Sequence, residues 1–236
     1  MTPHASPLTP HASVPVITVD GPSGVGKGTV SRGLAARLGW QRLDSGALYR
    51  ILALSAVDAG IALSDTDAVA ALAGGLDIRF TGDHEDNEAI WVNGRDIKSA
   101  VRAEATGGLA SQIAAAPAVR AALLQRQKDF RVAPGLIGDG RDMGTVVFPD
   151  AALKLFLTAS AEERARRRLL QLRAAGQDAI LADLCTEIST RDERDRTRTV
   201  APLVPASDAI LIDTTHLNPT QVAERIEGLV KDRGFL

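Results

Sequence analysis

The sequence contains one cysteine, few aromatic residues and no long apolar run, and each scarcity excludes a class of protein. The single cysteine, Cys185, excludes an internal disulfide and any metal centre built on several cysteines. Aromatic residues make up 3% of the chain, too few for a surface on which nucleic-acid bases stack. No apolar run reaches the roughly 20 residues that a membrane-spanning helix needs.

The charge of the chain is also close to balanced. The formal net charge is −2 at pH 7, so no strong field attracts this protein to nucleic acid or to an anionic membrane. We therefore expect neither nucleic acid nor a membrane as a partner, and we expect a monomer. The N-terminus has no basic start followed by an apolar signal core, and together with the lone cysteine this predicts a cytoplasmic location.

Length and composition predict one main domain. The chain has 236 residues, 45% of them hydrophobic, which is enough to bury a sizeable core. We expect a disordered leader over residues 1–13, where the segment TPHAS occurs twice, followed by the domain over 14–236. Residues 76–105 differ from the rest, because two segments alternate with period two around the polar loop TGDHEDN. This predicts a β-hairpin within a small β-rich insertion.

Outside the insertion, short apolar runs alternate with helical patterns. Strands are predicted at residues 14–19, 135–139, 153–158 and 208–213. Helices are predicted at residues 27–38, 64–75, 100–115, 117–131, 160–176, 178–198 and 218–234. Another is predicted within 42–60, where it follows a cap at Asp44 or Ser45 and closes at Gly60. The alternation predicts an α/β fold with a central parallel sheet, in which ligands bind beyond the carboxyl ends of the strands.

A glycine-rich loop lies between the first predicted strand and the first predicted helix. In the segment GPSGVGKGT, four residues separate Gly21 from Gly26, and Lys27 follows at once. Glycines allow successive backbone N–H groups to turn towards an anion, and the start of the helix adds partial positive charge. The pattern predicts that this loop binds the phosphates of a nucleoside triphosphate. One departure is that Gly28 follows the lysine, so the usual hydroxyl comes one position later, at Thr29.

Downstream of the loop, arginine-bearing clusters indicate a second polyanion. The clusters are LDSGALYR (43–50), GDGRDMG (138–144), EERARRR (162–168) and RDERDRTR (191–198). Each cluster alone fits a solvated charged face or a turn. Together, around one phosphate loop, they favour phosphoryl transfer, because two polyanions brought together need several guanidinium groups to neutralise them. The guanine-reading segment Asn-Lys-x-Asp is missing from the sequence, which argues against a GTPase.

These clusters, with the segments ITVDGPSGVGKGTVSRGLAARLGW, GRDMGTVVFPDAALKLFLTAS, RTVAPLVPA and DAILIDTT, resemble the bacterial cytidylate kinases, a family of nucleoside monophosphate kinases. The resemblance extends from about residue 14 to the end of the chain. It implies a three-layer P-loop fold whose insertion at 76–105 belongs to the nucleotide-monophosphate-binding part, and a short mobile lid at about 160–176. The implied reaction transfers phosphate from ATP to CMP or dCMP, with Mg²⁺ as cofactor. Thr158 departs from the family, since we expect an acidic residue there.

The resemblance also implies roles for the residues that match the family's motifs. The expected ATP-binding group is Gly21, Ser23, Gly24, Gly26, Lys27, Gly28 and Thr29, with Thr29 as a ligand of Mg²⁺ either directly or through water. The expected CMP-binding group is Ser45, Tyr49, Arg50, Ser111, Arg120, Arg141, Asp142, Arg191, Asp195 and Arg198. The expected catalytic group is Lys27, Arg141, Arg166, Arg167 and Arg198.

The chemistry of cytosine agrees with two of these roles. Its exocyclic amine wants an acceptor such as Asp142, and its ring carbonyl wants a donor such as Arg120. Uracil would place a carbonyl against Asp142, so that two acceptors face each other, and we expect CMP to be preferred over UMP. Two alternatives stay open. One is a kinase for another small acceptor, such as AMP, UMP or shikimate, and the other is a nucleotide-dependent switch or binding module without chemistry.

Overall fold

The computed structural model describes residues 14–81, 88–174 and 176–236. The predicted leader at residues 1–13 and the polar hairpin loop at 82–87 lie outside the described residues. Within those ranges, none of the helices is both long and apolar enough to cross a membrane.

A five-stranded parallel sheet forms the centre of the fold. Its strands are β1 (Val16–Asp20), β2 (Gln41–Asp44), β6 (Leu136–Gly140), β7 (Leu153–Thr158) and β8 (Ile210–Asp213), and their order across the sheet is β2-β6-β1-β7-β8. Every residue of β1 and β6 is buried, because helices cover both faces of the sheet. That burial explains why apolar residues predominate at the start of each strand in the sequence.

Strand β2 is missing from the sequence prediction. Its segment, QRLD, contains a single buried residue, Leu43, and lies at the edge of the sheet. Gln41–Asp44 pairs with β6 as a strand, and the helix predicted within residues 42–60 begins after its expected cap. Helix α2 begins only after Asp44, whose carboxylate accepts a hydrogen bond from the backbone N–H of Ala47 at 3.0 Å.

Helices cover both faces of the central sheet. The helices of the described residues are α1 (Lys27–Leu38), α2 (Ser45–Asp58), α3 (Thr66–Ala73), α4 (Lys98–Arg102), α5 (Glu104–Ile113), α6 (Pro117–Lys128), α7 (Ala161–Ala174), α8 (Leu181–Thr197) and α9 (Pro219–Asp232). The predicted helix at residues 100–115 is in fact two helices, because Ala103 has an extended backbone conformation between α4 and α5. A short π-helical segment, Met143–Val147, follows β6.

Two apolar clusters lie on opposite sides of the central sheet. One packs β1, β2 and β6 against α2, α3, α5 and α6, and the other packs the sheet against α1 and α9. The result is a three-layer α/β fold, as predicted. A third, smaller cluster joins α7 to α8 through Ala165, Leu169 and Leu184.

A separate antiparallel sheet contains β3 (Ile78–Thr81), β4 (Ala89–Val92) and β5 (Arg95–Asp96). The predicted hairpin is present, with Ile78 opposite Val92. Asn93 and Gly94 both have positive φ and form the tight turn between β4 and β5. The domain boundaries drawn from the sequence stay predictions.

Candidate active site

The phosphate loop begins where β1 ends. Gly21, Gly24 and Gly26 have φ values of 144°, 79° and 94°, backbone conformations that residues with a Cβ rarely adopt. A Cβ on Gly21 would lie 2.2 Å from the carbonyl oxygen of Leu157 on the neighbouring strand. Gly21 is thus required for the chain to pass close to β7. It determines the path of the loop backbone but lines neither of the cavities described below.

Lys27 is the first residue of α1 and is only 7% exposed. Its Nζ donates a hydrogen bond to the carbonyl oxygen of Pro22 at 2.6 Å, which folds the side chain back over the loop. Burial, followed by the nearby cation of Arg141, lowers the pKa of Lys27 to about 7, although Asp139 acts in the opposite direction. The site therefore contains an excess of positive charge that a polyanion would relieve.

A cavity of about 370 Å³ joins the phosphate loop to the clusters further along the chain. Ser23, Gly24, Gly26, Lys27, Gly28 and Thr29 line one side of it. The whole of the predicted CMP-binding group lines the rest: Ser45, Tyr49, Arg50, Ser111, Arg120, Arg141, Asp142, Arg191, Asp195 and Arg198. We call this space the acceptor cavity. Residues from α1, α2, α4, α5, α6, α7 and α8 meet here with residues at the carboxyl ends of β2 and β6, the edge of a parallel sheet at which ligands bind.

One end of the acceptor cavity contains a buried ion pair. Arg120 donates a short hydrogen bond to Asp142, and both residues are less than a tenth exposed. The guanidinium of Arg120 also lies 5.9 Å from the centre of the Tyr49 ring, within cation–π range. Burial raises the pKa of Asp142 above its ordinary value, while the cations of Arg120 and Arg198 oppose that change.

Further arginines surround the middle of the cavity. Arg141 donates from Nε to Asp195 at 3.1 Å, which orients both side chains. Arg50 donates to the carbonyl oxygens of Val101 and Ala103. The Nε and Nη2 atoms of Arg198 are buried and have no hydrogen-bond partner among the described residues. An anion that accepts from them would remove an unfavourable burial.

A second cavity, of about 720 Å³, lies on the other side of the phosphate loop. It shares Ser23, Gly24, Gly26, Thr29, Arg50, Arg168, Gln171 and Arg191 with the acceptor cavity, so the two spaces adjoin. Its remaining wall comes from α7 and from residues 215–219, the segment between β8 and α9. We call it the donor cavity. The two cavities therefore adjoin at the phosphate loop.

Comparison with known proteins agrees with this geometry. The family model for cytidylate kinase matches residues 17–232. The chain belongs to the cytidylate kinase family. A cytidylate kinase of Stutzerimonas stutzeri (strain A1501) is 58% identical over 221 residues, which cover 93% of this chain and 96% of that protein. The predicted family and enzyme class, a kinase, are confirmed.

Two further relatives match over nearly their whole length. A cytidylate kinase of Pseudomonas paraeruginosa (strain DSM 24068 / PA7) is 57% identical over 226 residues, covering 95% of this chain and 99% of that protein. One of Pseudomonas putida (strain W619) is 55% identical over 227 residues, covering 96% and 100%. Among solved structures, a gluconokinase from Sinorhizobium meliloti 1021 is 16% identical with a TM-score of 0.44, covering 93% of this chain and 94% of that chain.

In this cytidylate kinase family member, the arginines of the segment predicted to be a lid lie on two faces of α7. Arg164, Arg167 and Arg168 line the donor cavity, and Arg168 lines the acceptor cavity as well. Arg166, which the sequence placed in the catalytic group, lines neither cavity. It pairs instead with Glu162 and Glu163, and its side chain is 53% exposed. The helical period is the reason, since Arg164, Arg168 and Gln171 share a face that excludes residue 166.

The remaining lid contacts hold α7 against its neighbours. Arg164 donates to both carboxylate oxygens of Asp192 on α8 and to the carbonyl oxygen of Ser23 in the phosphate loop. Arg167 donates to the carbonyl oxygen of Thr214 at 2.5 Å. Sequence reasoning did not single out Arg164 or Arg168 within EERARRR, although helical spacing was a signal that could have done so.

Sequence reasoning also missed four further charged residues of the acceptor cavity, Arg32, Asp44, Arg102 and Asp139. Arg102 donates to Asp44 at 2.7 Å and to both oxygens of Glu88 at 2.9 Å, so it joins the insertion to the end of β2. Burial alone would raise the pKa of Asp44, but the cations of Arg102 and Arg42 lower it. Burial raises the pKa of Asp139, against the influence of Lys27. Two of these residues end strands, which is the signal the sequence offered.

Proposed function

We propose that this protein transfers the γ-phosphoryl group of ATP to the phosphate of CMP or dCMP. The observation that carries the proposal is the acceptor cavity, in which the phosphate loop with Lys27 faces the whole predicted CMP-binding group. Two nucleotides bound in the adjoining cavities would meet at their phosphates. Membership of the cytidylate kinase family supports the same acceptor.

On the donor side, the glycine loop binds the β- and γ-phosphates of ATP, and the nucleoside occupies the donor cavity. Thr29 and Ser23 line both cavities, so the triphosphate passes along the loop from the larger space into the smaller one. Arg167 and Arg168 of α7 supply positive charge from above the loop. Helix α7 acts as a lid that closes over the bound nucleotides. The closed lid excludes water, which would otherwise accept the phosphoryl group.

On the acceptor side, each part of CMP meets groups of matching chemistry. Asp142 accepts from the exocyclic amine of cytosine, with Ser111 beside it, and Arg120 donates to the ring carbonyl. Arg191 and Asp195 contact the sugar hydroxyls, near Ser45 and Tyr49. The phosphate lies among Arg50, Arg141 and Arg198.

Catalysis in this scheme is positioning and electrostatic stabilisation. The phosphate oxygen of CMP is already anionic near neutral pH, so the attacking oxygen needs no general base. Lys27, Arg141 and Arg198 neutralise the charge that spreads over the transferring group. Because Lys27 is buried and other cations lie near it, the negative charge of the transferring group is stabilised more strongly here than it would be in water.

The residues present fit a magnesium ion held mainly by nucleotide phosphates and water. The described residues contain no cluster of three or more His, Cys, Asp or Glu side chains able to hold a metal ion by themselves. The Thr29 hydroxyl lines both cavities beside the phosphate loop and is the hard oxygen donor that Mg²⁺ prefers. When bound with ATP, the ion supplies Lewis-acid neutralisation of the phosphates, and Thr29 holds it directly or through water.

A coupled assay of ADP release tests the proposed function. The protein is supplied with ATP and Mg²⁺ and with CMP, dCMP, UMP, AMP or shikimate in turn, and a reaction without acceptor measures hydrolysis. We expect CMP and dCMP to give the highest kcat/KM, with UMP at least about tenfold lower because of the unmatched acceptor pair. Preference for AMP or shikimate, or no turnover with any acceptor, would overturn the proposal.

The monomeric state and the cytoplasmic location stay predictions from the sequence. Light scattering during size-exclusion chromatography measures the first, and localisation of a fluorescent fusion in the source cell measures the second. A mass near 24.8 kDa is expected for the monomer.

A further inference from the structure

Asp20, the last residue of β1, has a buried carboxylate that lines neither the donor nor the acceptor cavity. It is 5% exposed. One carboxylate oxygen accepts the backbone N–H of Met143 at 2.9 Å, and the other accepts the backbone N–H of Gly144 at 2.8 Å. These are the two amides that directly follow Arg141 and Asp142. A single carboxylate thus holds the turn from which both acceptor residues project.

The position of Asp20 in the sheet makes this anchor rigid. Strand β1 lies between β6 and β7, and Asp20 is in register with Gly140 on one side and Phe156 on the other. The phosphate loop begins at the next residue, Gly21. Asp20 therefore connects the backbone that presents Lys27 with the backbone that presents Asp142.

The turn also packs closely on the same face of β1. Alternation along a strand places Thr18 and Asp20 on one face. A Cβ on Gly144 would lie 2.9 Å from the Oγ1 atom of Thr18, so only glycine allows the turn to approach this near. The hydrogen bonds to Asp20 and the contact with Thr18 fix the turn at two adjacent points.

A carboxylate at this position is expensive to bury. Burial raises the pKa of Asp20 to about 7; the two N–H donors and Lys27 act to lower it, while Asp142 adds to the rise. An apolar residue would fill the space without that cost but would leave two buried N–H groups unsatisfied. Of the charged groups that act on Asp20, Lys27 belongs to the phosphate loop and Asp142 belongs to the proposed acceptor site.

We propose that Asp20 is a positioning residue for the acceptor nucleotide. Its carboxylate ties the turn that carries Arg141 and Asp142 to the start of the phosphate loop, so the acceptor is held at a fixed distance from the donor. The inference rests on the proposed function, because it assigns CMP to that turn. Asp20 touches neither nucleotide and acts only through the backbone of Met143 and Gly144.

The test compares Asp20→Asn with wild type in steady-state kinetics and in calorimetric binding of CMP and of ATP. Asparagine keeps the shape but has one acceptor oxygen, so one N–H group would face an amide donor. We expect KM and Kd for CMP to rise about tenfold and kcat to fall, while Kd for ATP stays within about twofold. The preference for CMP over UMP should narrow at the same time, because Asp142 moves.

Asp65→Asn is the matched control. Asp65 is an exposed carboxylate that accepts the backbone N–H of Ala68 at the start of α3, away from both cavities. It should lower thermal stability slightly and leave both nucleotide affinities unchanged. Asp20→Glu keeps the charge but displaces the oxygens, and it should recover part of the CMP affinity lost in Asp20→Asn.

The outcomes are distinguishable. Equal loss of CMP and ATP affinity in Asp20→Asn would make Asp20 a general structural residue and overturn the proposal, as would unchanged CMP affinity. Wild type that binds CMP without turnover would overturn the proposed function alone, and the binding data would still test Asp20. If neither Asp20 variant folds, amide hydrogen exchange in wild type decides, since rapid exchange at Met143 and Gly144 would overturn the anchor.

Discussion

Arg120 and Asp142 form an ion pair inside the acceptor cavity, with side chains only 9% and 5% exposed. The two groups assigned to the exocyclic amine and the ring carbonyl of cytosine therefore orient each other before they orient a base. A paired guanidinium keeps its remaining N–H donors, and a paired carboxylate keeps free lone pairs. The pair presents one donor edge and one acceptor edge side by side, which is the pattern that distinguishes cytosine from uracil.

Replacing Asp142 should erode the choice between CMP and UMP. In Asp142→Ala, the acceptor for the cytosine amine is lost and Arg120 is left without its anion, so kcat/KM for CMP should fall about 10- to 100-fold while UMP changes less. Asp142→Asn is the sharper variant, because its amide can donate to the uracil carbonyl and should bring the two substrates close to equal. Steady-state assays with both nucleotides measure the ratio, and an unchanged ratio would reject the assignment of Asp142.

Lys27→Ala should reduce kcat by about 10²- to 10³-fold, because the transferring phosphoryl group loses a buried cation. CMP affinity should survive, since Lys27 lies at the phosphate-loop end of the acceptor cavity. Lys154→Ala is the matched control. Lys154 is also buried and also donates to a proline carbonyl five residues earlier, at Pro149, but it lines neither cavity. The control should lower the melting temperature and leave kcat within about threefold of wild type. Near-normal turnover in Lys27→Ala would refute its role.

ATP binding should take up a proton at pH 8. Burial and Arg141 lower the pKa of Lys27 to about 7, so at pH 8 the amine is mostly neutral in the free protein. A triphosphate beside it favours the ammonium form and raises the pKa again. Below about pH 6 the lysine is already protonated in the free protein, and the uptake should vanish. Calorimetry in buffers of different ionisation enthalpy counts the protons. Lys27→Ala should abolish the uptake, and proton release at pH 8 would contradict the expectation.

Two neighbouring lid arginines should differ in their effect on turnover. Arg168 lines both cavities, whereas Arg166 pairs with Glu162 and Glu163 on the outer face of α7. Arg168→Ala should therefore lower kcat at least about tenfold, and Arg166→Ala should change it less than about threefold. The two substitutions remove the same side chain from the same helix, so each controls for the other. A larger loss in Arg166→Ala would restore that residue to the catalytic group.

Thr29 should affect the magnesium requirement. Thr29→Val keeps the shape of the side chain but removes its oxygen, and the Mg²⁺ concentration for half-maximal activity should rise about tenfold. Thr29→Ser keeps the oxygen and should behave like wild type. Titration of Mg²⁺ at saturating ATP and CMP measures both variants. An equal requirement in all three proteins would show that Thr29 does not hold the ion.

The most local features were predictable from the sequence. The phosphate loop needs only its own glycines, a strand before it and a helix after it, and all of these are consecutive in the chain. The interior strands β1, β6 and β7 were visible because both of their faces are buried and each contains a cluster of branched apolar residues. The cap of α9 is equally local, since Asn218 and its partner Gln221 are three residues apart.

Features that depend on contacts between residues far apart in the chain could not be predicted from the sequence. Strand β2 has almost no apolar signal, and it becomes a strand only because β6 offers it a partner. The partly buried ion pairs of Arg102 with Asp44 and Glu88 join segments that no local pattern connects.

The amino-acid sequence by itself determined three features of the protein. They are the phosphate loop, the clusters of arginine residues and an α/β fold whose parallel strands have their carboxyl ends at one edge of the sheet. The tertiary structure alone decided which of the forks face the loop, separating Arg168 from Arg166 and bringing Asp20 beneath the turn of Asp142. The physical reason is that hydrogen-bonding geometry within a loop or a helical turn is set by neighbours in the chain. Which side of a helix becomes buried, and which backbone amides a carboxylate can reach, is set by packing between segments more than a hundred residues apart.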